Sequence, residues 1–237
     1  MSVYRVKFRL RNAEVDLNRR LRLSTMLRMM QEASIAHTEE LGAGREKTLD
    51  RGLLWVVTLQ EARINRMPEY DEEITLESWP GDTMHLFFPR YYRIIGADGA
   101  VLVTAAALWV LMDSVERKMV FPEDKNVAVP FEKTGFEPPL PRAPRHIETT
   151  REASFTVPFS YTDMNGHMNN TRYFDLAEDS IPASAAGKAL RLVQTEYVSE
   201  ARLGAALQVR WGEENGAFFL LGEGEKPVFR MRLEYAE

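Results

Sequence analysis

One short stretch of this chain gathers side chains that can handle protons and attack carbonyls: Tyr161-Thr162-Asp163-Met164-Asn165-Gly166-His167-Met168-Asn169-Asn170-Thr171-Arg172-Tyr173. Asp163 could attack a carbonyl carbon or deprotonate a water, Asn165 could orient the attacking group, and His167 could donate to the carbonyl or to a departing group. The stretch runs into an amphipathic segment that reads as a helix, and the first N–H groups of a helix lack intrahelical partners. Preorganised donors there would stabilise the oxyanion of an attacked carbonyl by on the order of 3 kcal/mol each. The same Asp-x-Asn pattern also has a plain structural reading, because both side chains bond to neighbouring backbone groups and start turns. Asn169 and Asn170 divide evenly between helix capping and catalysis, and one pair can serve both.

The rest of the composition narrows the chemistry. The 237 residues include no Cys, which excludes disulfides, thiolate metal sites and a cysteine nucleophile, and leaves oxygen and imidazole to do the work. His37, His85 and His146 stand without ligand-like neighbours, so neither a metal nor another cofactor is expected. The formal charge of −5 argues against nucleic acid as a partner. The first residues, MSVYRVKFRLRNAEVDL, carry charges every few positions, and no apolar run reaches membrane-spanning length; a cytoplasmic protein without a membrane partner is the expectation.

Two units must position the motif. Proline crowds residues 131–145, which reads as a semi-rigid linker between an N-terminal domain, 1–130, and a C-terminal domain, 146–237. The first unit opens with an alternating segment, then a long helix from an N-cap at Ser24 to a left-handed stop at Gly42. Strand-like runs follow: LLWVVTLQEARI, EITLESW, FFPRYYRII and VLVTAAALWVLMD. The second unit repeats the recipe, with SFTVPFSY, a shorter helix from Asn170 to Ile181 stopped by Pro182, then ALRLVQTEYVSEA, ALQVRWGE, AFFLLGE and VFRMRLEY. Helix followed by antiparallel strands, twice, predicts an α+β fold.

The halves align directly. Shifted by 147 positions, VDLNRRLRLSTML at 15–27 lies over TDMNGHMNNTRYF at 162–174, so that Asp16 meets Asp163 and Asn18 meets Asn165. Arg20 then replaces His167 and Leu23 replaces Asn170, while an approximate alignment of the later strands sets Met67 against Glu200. The first copy keeps the Asp and Asn but has lost the constellation, with neither the imidazole nor the downstream carboxylate.

Asp163-x-x-Gly166-His167-x-Asn169-Asn170-x-x-Tyr173 resembles the signature of hotdog thioesterases related to 4-hydroxybenzoyl-CoA thioesterase. The fuller Asp163-Met164-Asn165-Gly166-His167-Met168-Asn169-Asn170 is similar to the Asp-x-Asn-x-His-x-Asn-Asn motif of plant and bacterial acyl-ACP thioesterases, and GLLWVV at 52–57, ALWVLMD at 107–113 and TEYVSEARLG at 195–204 extend the likeness. The resemblance implies a tandem hotdog with one catalytic set in the second unit: Asp163, Asn165, His167 and a downstream Glu, here Glu200, that helps activate water. Ala201 occupies the place of a frequent Cys, so a nucleophilic role for that position is not available here.

The resemblance further implies hydrolysis of a fatty acyl thioester on acyl carrier protein, with the acyl chain lodged in the first unit. Met26, Met29 and Met30 of the long helix are candidate walls for a flexible alkyl chain, alongside Asn169 and Asn170 as substrate-binding groups. An acyl-CoA thioesterase of the same fold is the alternative, and a non-hydrolytic acyl-binding or dehydratase-like protein is a third. An acidic carrier would dock on basic residues near the motif and linker, with Arg142, Arg145, Arg172 and Arg202 as candidates. Two hotdogs in one chain allow a monomer that is an internal pseudo-dimer, or a homodimer of such units.

Overall fold

The computed structural model describes residues 3–181 and 187–236. A strand β1 (Tyr4–Arg9) leads through a short turn to helix α1 (Leu23–Glu40), then to β2 (Leu53–Ile64), β3 (Glu73–Pro80), β4 (Phe88–Gly96) and β5 (Val101–Asp113). A single turn of helix, α2 (Pro122–Lys125), precedes residues 127–150, which contain neither helix nor strand. The second half follows with β6 (Arg151–Thr156), α3 (Arg172–Ser180), β7 (Leu190–Tyr197), β8 (Ala206–Glu214), β9 (Ala217–Glu223) and β10 (Pro227–Tyr235).

All ten strands form one sheet in the order β1-β3-β4-β5-β2-β7-β10-β9-β8-β6. Each half supplies five neighbouring strands, and the order read inward from either edge is the same. The halves join through the antiparallel pair β2–β7, with Leu59 opposite Glu196 and Arg63 opposite Leu192. Residues of alternate parity point to opposite faces. Val57, Ile74, Tyr92, Val103, Val193, Phe218 and Met231 therefore meet α1 and α3 in one continuous core on the inner face.

The expected N-cap at Ser24 is off by two residues, and the cap is of another kind. α1 begins at Leu23, Arg22 offers no side-chain cap, and Ser24 is buried. The Leu23 N–H instead donates to Glu178 Oε1 at 2.9 Å, so a carboxylate from α3 satisfies one of the orphan donors. Burial holds the Glu178 carboxyl above its ordinary range, opposed by that hydrogen bond and by Arg22. At the other end Gly42 does take the left-handed conformation, φ 72. Its N–H bonds Glu39 O and that of Ala43 bonds Thr38 O, the paired bonds of a Schellman stop.

Two further expectations shift. SFTVPFSY yields strand only to Thr156, because Pro158 brings a helical turn at Phe159–Tyr161. α3 covers Arg172–Ser180; the expected stop at Pro182 lies outside the described residues. The proline-rich segment is strapped across the outer face of the sheet. Leu140 packs on Trp79, Tyr91 and Ala106, while Ile147 packs on Ala217 and Phe219. A Cβ on Gly212 would lie 2.0 Å from Glu148 O, so only glycine lets the strap cross there.

Candidate active site

The motif forms a turn that occurs twice. Asp163 Oδ1 accepts the N–H groups of Asn165 at 2.8 Å and His167 at 3.4 Å, while the Asp163 N–H donates to His167 O at 2.8 Å. In the first half Asp16 Oδ1 accepts the N–H groups of Asn18 at 2.8 Å and Arg20 at 2.9 Å, and the Asp16 N–H donates to Arg20 O at 2.8 Å. Gly166 (φ 76) and Arg19 (φ 64) hold the matching left-handed position, which glycine adopts without strain and arginine does not. The turn-initiating reading of Asp-x-Asn is therefore correct for both copies.

Each turn is then tied to the chain following β2 or β7, the strand by which its half joins the other. Met168 N–H donates to Ala201 O at 2.7 Å, and Leu21 N–H to Pro68 O at 2.8 Å. His167 bridges to Arg202 as Arg20 bridges to Glu69. The turns are 147 residues apart (20 and 167), and the segments they bind are 133 apart (69 and 202). The second shift carries Met67 onto Glu200 (67 plus 133), matching the approximate alignment.

This arrangement brings Glu200 to His167, with 3.4 Å between Oε2 and Nε2. The guanidinium of Arg117 contacts the other carboxylate oxygen, Oε1. Arg117 was not identified from sequence. It belongs to the first half, on a left-handed turn (φ 53) shaped by Asp113 Oδ1 accepting the Val115 and Glu116 N–H groups, each at 2.9 Å. Burial pushes the His167 imidazole below its ordinary pKa, Arg117 and Arg202 push the same way, and Asp163 opposes them. His167 is thus neutral at pH 7, able to accept a proton, with an anionic residue near enough to favour the imidazolium that results.

The His167 ring opens on a cleft of about 640 Å³. Asn165, Gly166, Arg202 and Leu203 line it from the second half, and Leu49, Leu54, Ser114 and Arg117 from the first. The cleft is therefore built by both halves. An apolar cavity of about 370 Å³ lies beside it, walled by Ser34, Ile35 and Thr38 of α1 and by Trp55, Phe88 and Trp109 of the sheet. Leu49 lines both spaces, and Met164, next to Asn165 in the motif, borders the cavity.

Several expected positions fall elsewhere. Met26, Met29 and Met30 are almost completely buried in the main core, and none lines cavity or cleft. The cavity uses the other end of the same helix. Asn169 Oδ1 accepts from the Thr171 N–H at 3.0 Å and Thr171 Oγ1 at 2.8 Å, so it braces the entry to α3. The Asn170 carbonyl accepts from Tyr197 Oη at 3.2 Å. The expected oxyanion donors at the α3 N-terminus are largely consumed: Thr171 N–H by Asn169 Oδ1, Arg172 N–H by Asn169 O and Phe174 N–H by Thr171 O. The side-chain donors lining the cleft are those of Ser114, Arg117, Asn165, His167 and Arg202. Ala201 is 2% exposed and gives the site only its carbonyl. Of the four arginines named for docking, Arg202 alone lines the cleft; Arg172 pairs with Asp175 at 2.9 Å, and the Arg142 N–H approaches Glu61 Oε2 at 3.4 Å.

A single antiparallel sheet with helices on its inner face, built from two matching halves, defines an α+β double hotdog. The chain belongs to the acyl-ACP thioesterase family: the family's N-terminal domain matches residues 1–128 and its C-terminal domain residues 145–221. A chloroplastic palmitoyl-acyl carrier protein thioesterase of Arabidopsis thaliana is 22% identical over 222 residues, covering 87% of this chain and 54% of the relative. The chain spans about half the length of the curated relatives it matches. An acyl-ACP thioesterase from Bacteroides thetaiotaomicron superposes with a TM-score of 0.86 at 22% identity, covering 99% of this chain and 98% of the other. The 12:0-ACP thioesterase from Umbellularia californica gives 0.84 at 21% identity, covering 100% and 98%. At such identities these two likenesses are of fold. Among the described residues no helix is long and apolar enough to cross a membrane.

Proposed function

We propose that the chain hydrolyses the thioester of a fatty acyl group carried on acyl carrier protein, releasing the free acid and the carrier thiol. The observation that carries this reading is the shared wall at Leu49: an apolar cavity adjoins a polar cleft that holds a neutral imidazole beside a carboxylate. The alkyl chain enters the cavity, and its thioester stays in the cleft.

Water attacks the carbonyl carbon while the neutral His167 imidazole takes up its proton, and the carboxylate of Glu200 beside the ring favours the imidazolium that forms. The negative charge of Asp163 favours the imidazolium, as its opposition to the other shifts on His167 indicates. Asn165 and Arg202 face the cleft and can donate to the oxyanion. Collapse breaks the C–S bond, and the imidazolium returns the proton to the thiolate. Water is a better nucleophile here than Asp163, because Asp163 Oδ1 is already engaged by two backbone N–H groups. In this reading residues 1–130 supply the cavity and Arg117, residues 146–237 supply the reacting groups, and 131–145 link them.

Free-thiol release from acyl-ACP and acyl-CoA bearing the same chain tests the proposal. Faster release from acyl-ACP supports it; equal or greater activity on acyl-CoA points to the other carrier, and no release from either removes hydrolysis altogether.

A further inference from the structure

Three charged residues line the apolar cavity: Glu39 and Arg45 are exposed, Glu39 accepting the Arg45 N–H and Arg45 pairing with Asp50, and the third is buried. That third residue, Arg90 of β4, is 4% exposed. Its Nε donates to Ser78 Oγ at 2.8 Å, whereas its Nη2 is buried with no hydrogen-bond partner. No carboxylate lies within ion-pair distance of it among the described residues. Burial lowers the guanidinium to about 10, which still leaves it protonated at neutral pH. The indole Nε1 of Trp109, on the same wall, is also buried, and is directed at the Tyr92 hydroxyl. A cation enclosed without an acceptor is costly, and a purely hydrocarbon ligand would leave it so.

Its position is also informative. Phe88, Arg90 and Tyr92 alternate onto the inner face of β4, and Arg90 stands opposite Ala107 of β5. The cleft residue Leu54 stands opposite Met112 of β5. From Met112 to Ala107 is five residues, about 16 Å along a strand. Arg90 therefore lies well away from the thioester position, along the path of the chain.

We propose that this cavity selects acyl groups bearing an acceptor oxygen, a hydroxyl, keto or carboxylate group, far from the thioester, and that Arg90 is the residue that receives it. The proposal rests on the reading of the cavity as the acyl site. A satisfied charge-assisted bond discriminates strongly against a chain that leaves the donor empty.

The test compares purified wild-type protein and Arg90→Met on three acyl-ACP substrates of one length, ending in methyl, hydroxymethyl or carboxylate. Binding of the corresponding free acids is measured in parallel by calorimetry. Wild type is expected to favour an oxygenated chain by about tenfold or more in kcat/KM and in affinity, and Arg90→Met to abolish or invert that ratio. Arg90→Lys, which keeps the charge, should retain part of it and guards against a folding defect in the first variant. An unsubstituted chain preferred by wild type, or a ratio unchanged by Arg90→Met, overturns the proposal. If no thioester is cleaved, the hydrolase reading fails, while the affinity ratio for the free acids still decides the role of Arg90.

Discussion

Arg117, on the turn after β5, contacts one carboxylate oxygen of Glu200, just beyond β7, while the other oxygen lies 3.4 Å from His167 Nε2. One half of the chain thus holds the acid of the other half against its imidazole. Glu200 is about one-third exposed and would otherwise sample many rotamers. Arg117→Met should lower kcat by tenfold to a hundredfold with little change in KM, because Arg117 acts through Glu200. Glu200→Gln should cost about a hundredfold. Steady-state kinetics on acyl-ACP reads both, and an Arg117→Met enzyme with wild-type kcat would show that the contact does not position the carboxylate.

The pH profile follows from the same charges. His167 is lowered first by burial, then by Arg117 and Arg202, and raised by Asp163. The acid limb of kcat/KM should therefore fall below the ordinary imidazole value of 6.5. Removing either arginine takes away a downward push, so the limb should move to higher pH in Arg117→Met and Arg202→Met. Removing Asp163 should move it lower. For stability the sign is fixed by linkage: protonation favours the unfolded chain, so the His167 contribution is complete above 6.5 and is lost as pH falls through the folded value. A limb that stays in place in all three variants would contradict the assignment of His167 as the titrating base.

The two Asp turns separate structure from chemistry. Asp16→Ala and Asp163→Ala each remove an acceptor for two backbone N–H groups. Each should cost stability by about 0.5–1.5 kcal/mol, since these N–H groups are exposed or half-buried and water can replace the carboxylate. Only Asp163→Ala should also reduce turnover, by at least about a hundredfold. Denaturant melts paired with kinetics distinguish the effects, and equal losses of rate would place catalytic weight on the first copy.

Much of the fold was legible because the pattern is local and repeated. The runs read as β2 and β5 match Leu53–Ile64 and Val101–Asp113 to the residue, and the Asp-x-Asn repeat identifies a turn whose hydrogen bonds recur in both halves. What stayed hidden depends on contacts between distant segments. The cap on α1 comes from Glu178, 155 positions away, so no local signal at Ser24 could reveal it. Arg117 is one of many surface-like arginines until the sheet joins at β2–β7 and carries it to Glu200. Met26, Met29 and Met30 look like adaptable walls, yet the end of α1 that lines the cavity is the one bearing Ser34, Ile35 and Thr38.

Glu178 gives a test of the packing that brings α1 and α3 together. Its carboxyl is held above the ordinary range by burial, so ionising it costs stability as pH rises through that range. Glu178→Gln keeps an acceptor for the Leu23 N–H without the charge and should be as stable as wild type, or more so, at pH 7. Glu178→Ala empties the cap and should lose about 1–3 kcal/mol. A Gln variant as damaged as the Ala variant would mean that the Arg22 pairing, at 3.8 Å, outweighs the cap.

The most direct measurement of the central claim is single-turnover thiol release from a long-chain acyl-ACP by wild type, His167→Ala and Leu49→Trp. Leu49 lines both the cavity and the cleft, so a bulky side chain there should obstruct the passage between them. Wild type should release thiol, His167→Ala should be slower by at least about a hundredfold, and Leu49→Trp should lose long-chain substrate while still cleaving a short acyl-ACP. Equal rates for all three proteins on the long chain would contradict both the imidazole chemistry and the route from cleft to cavity.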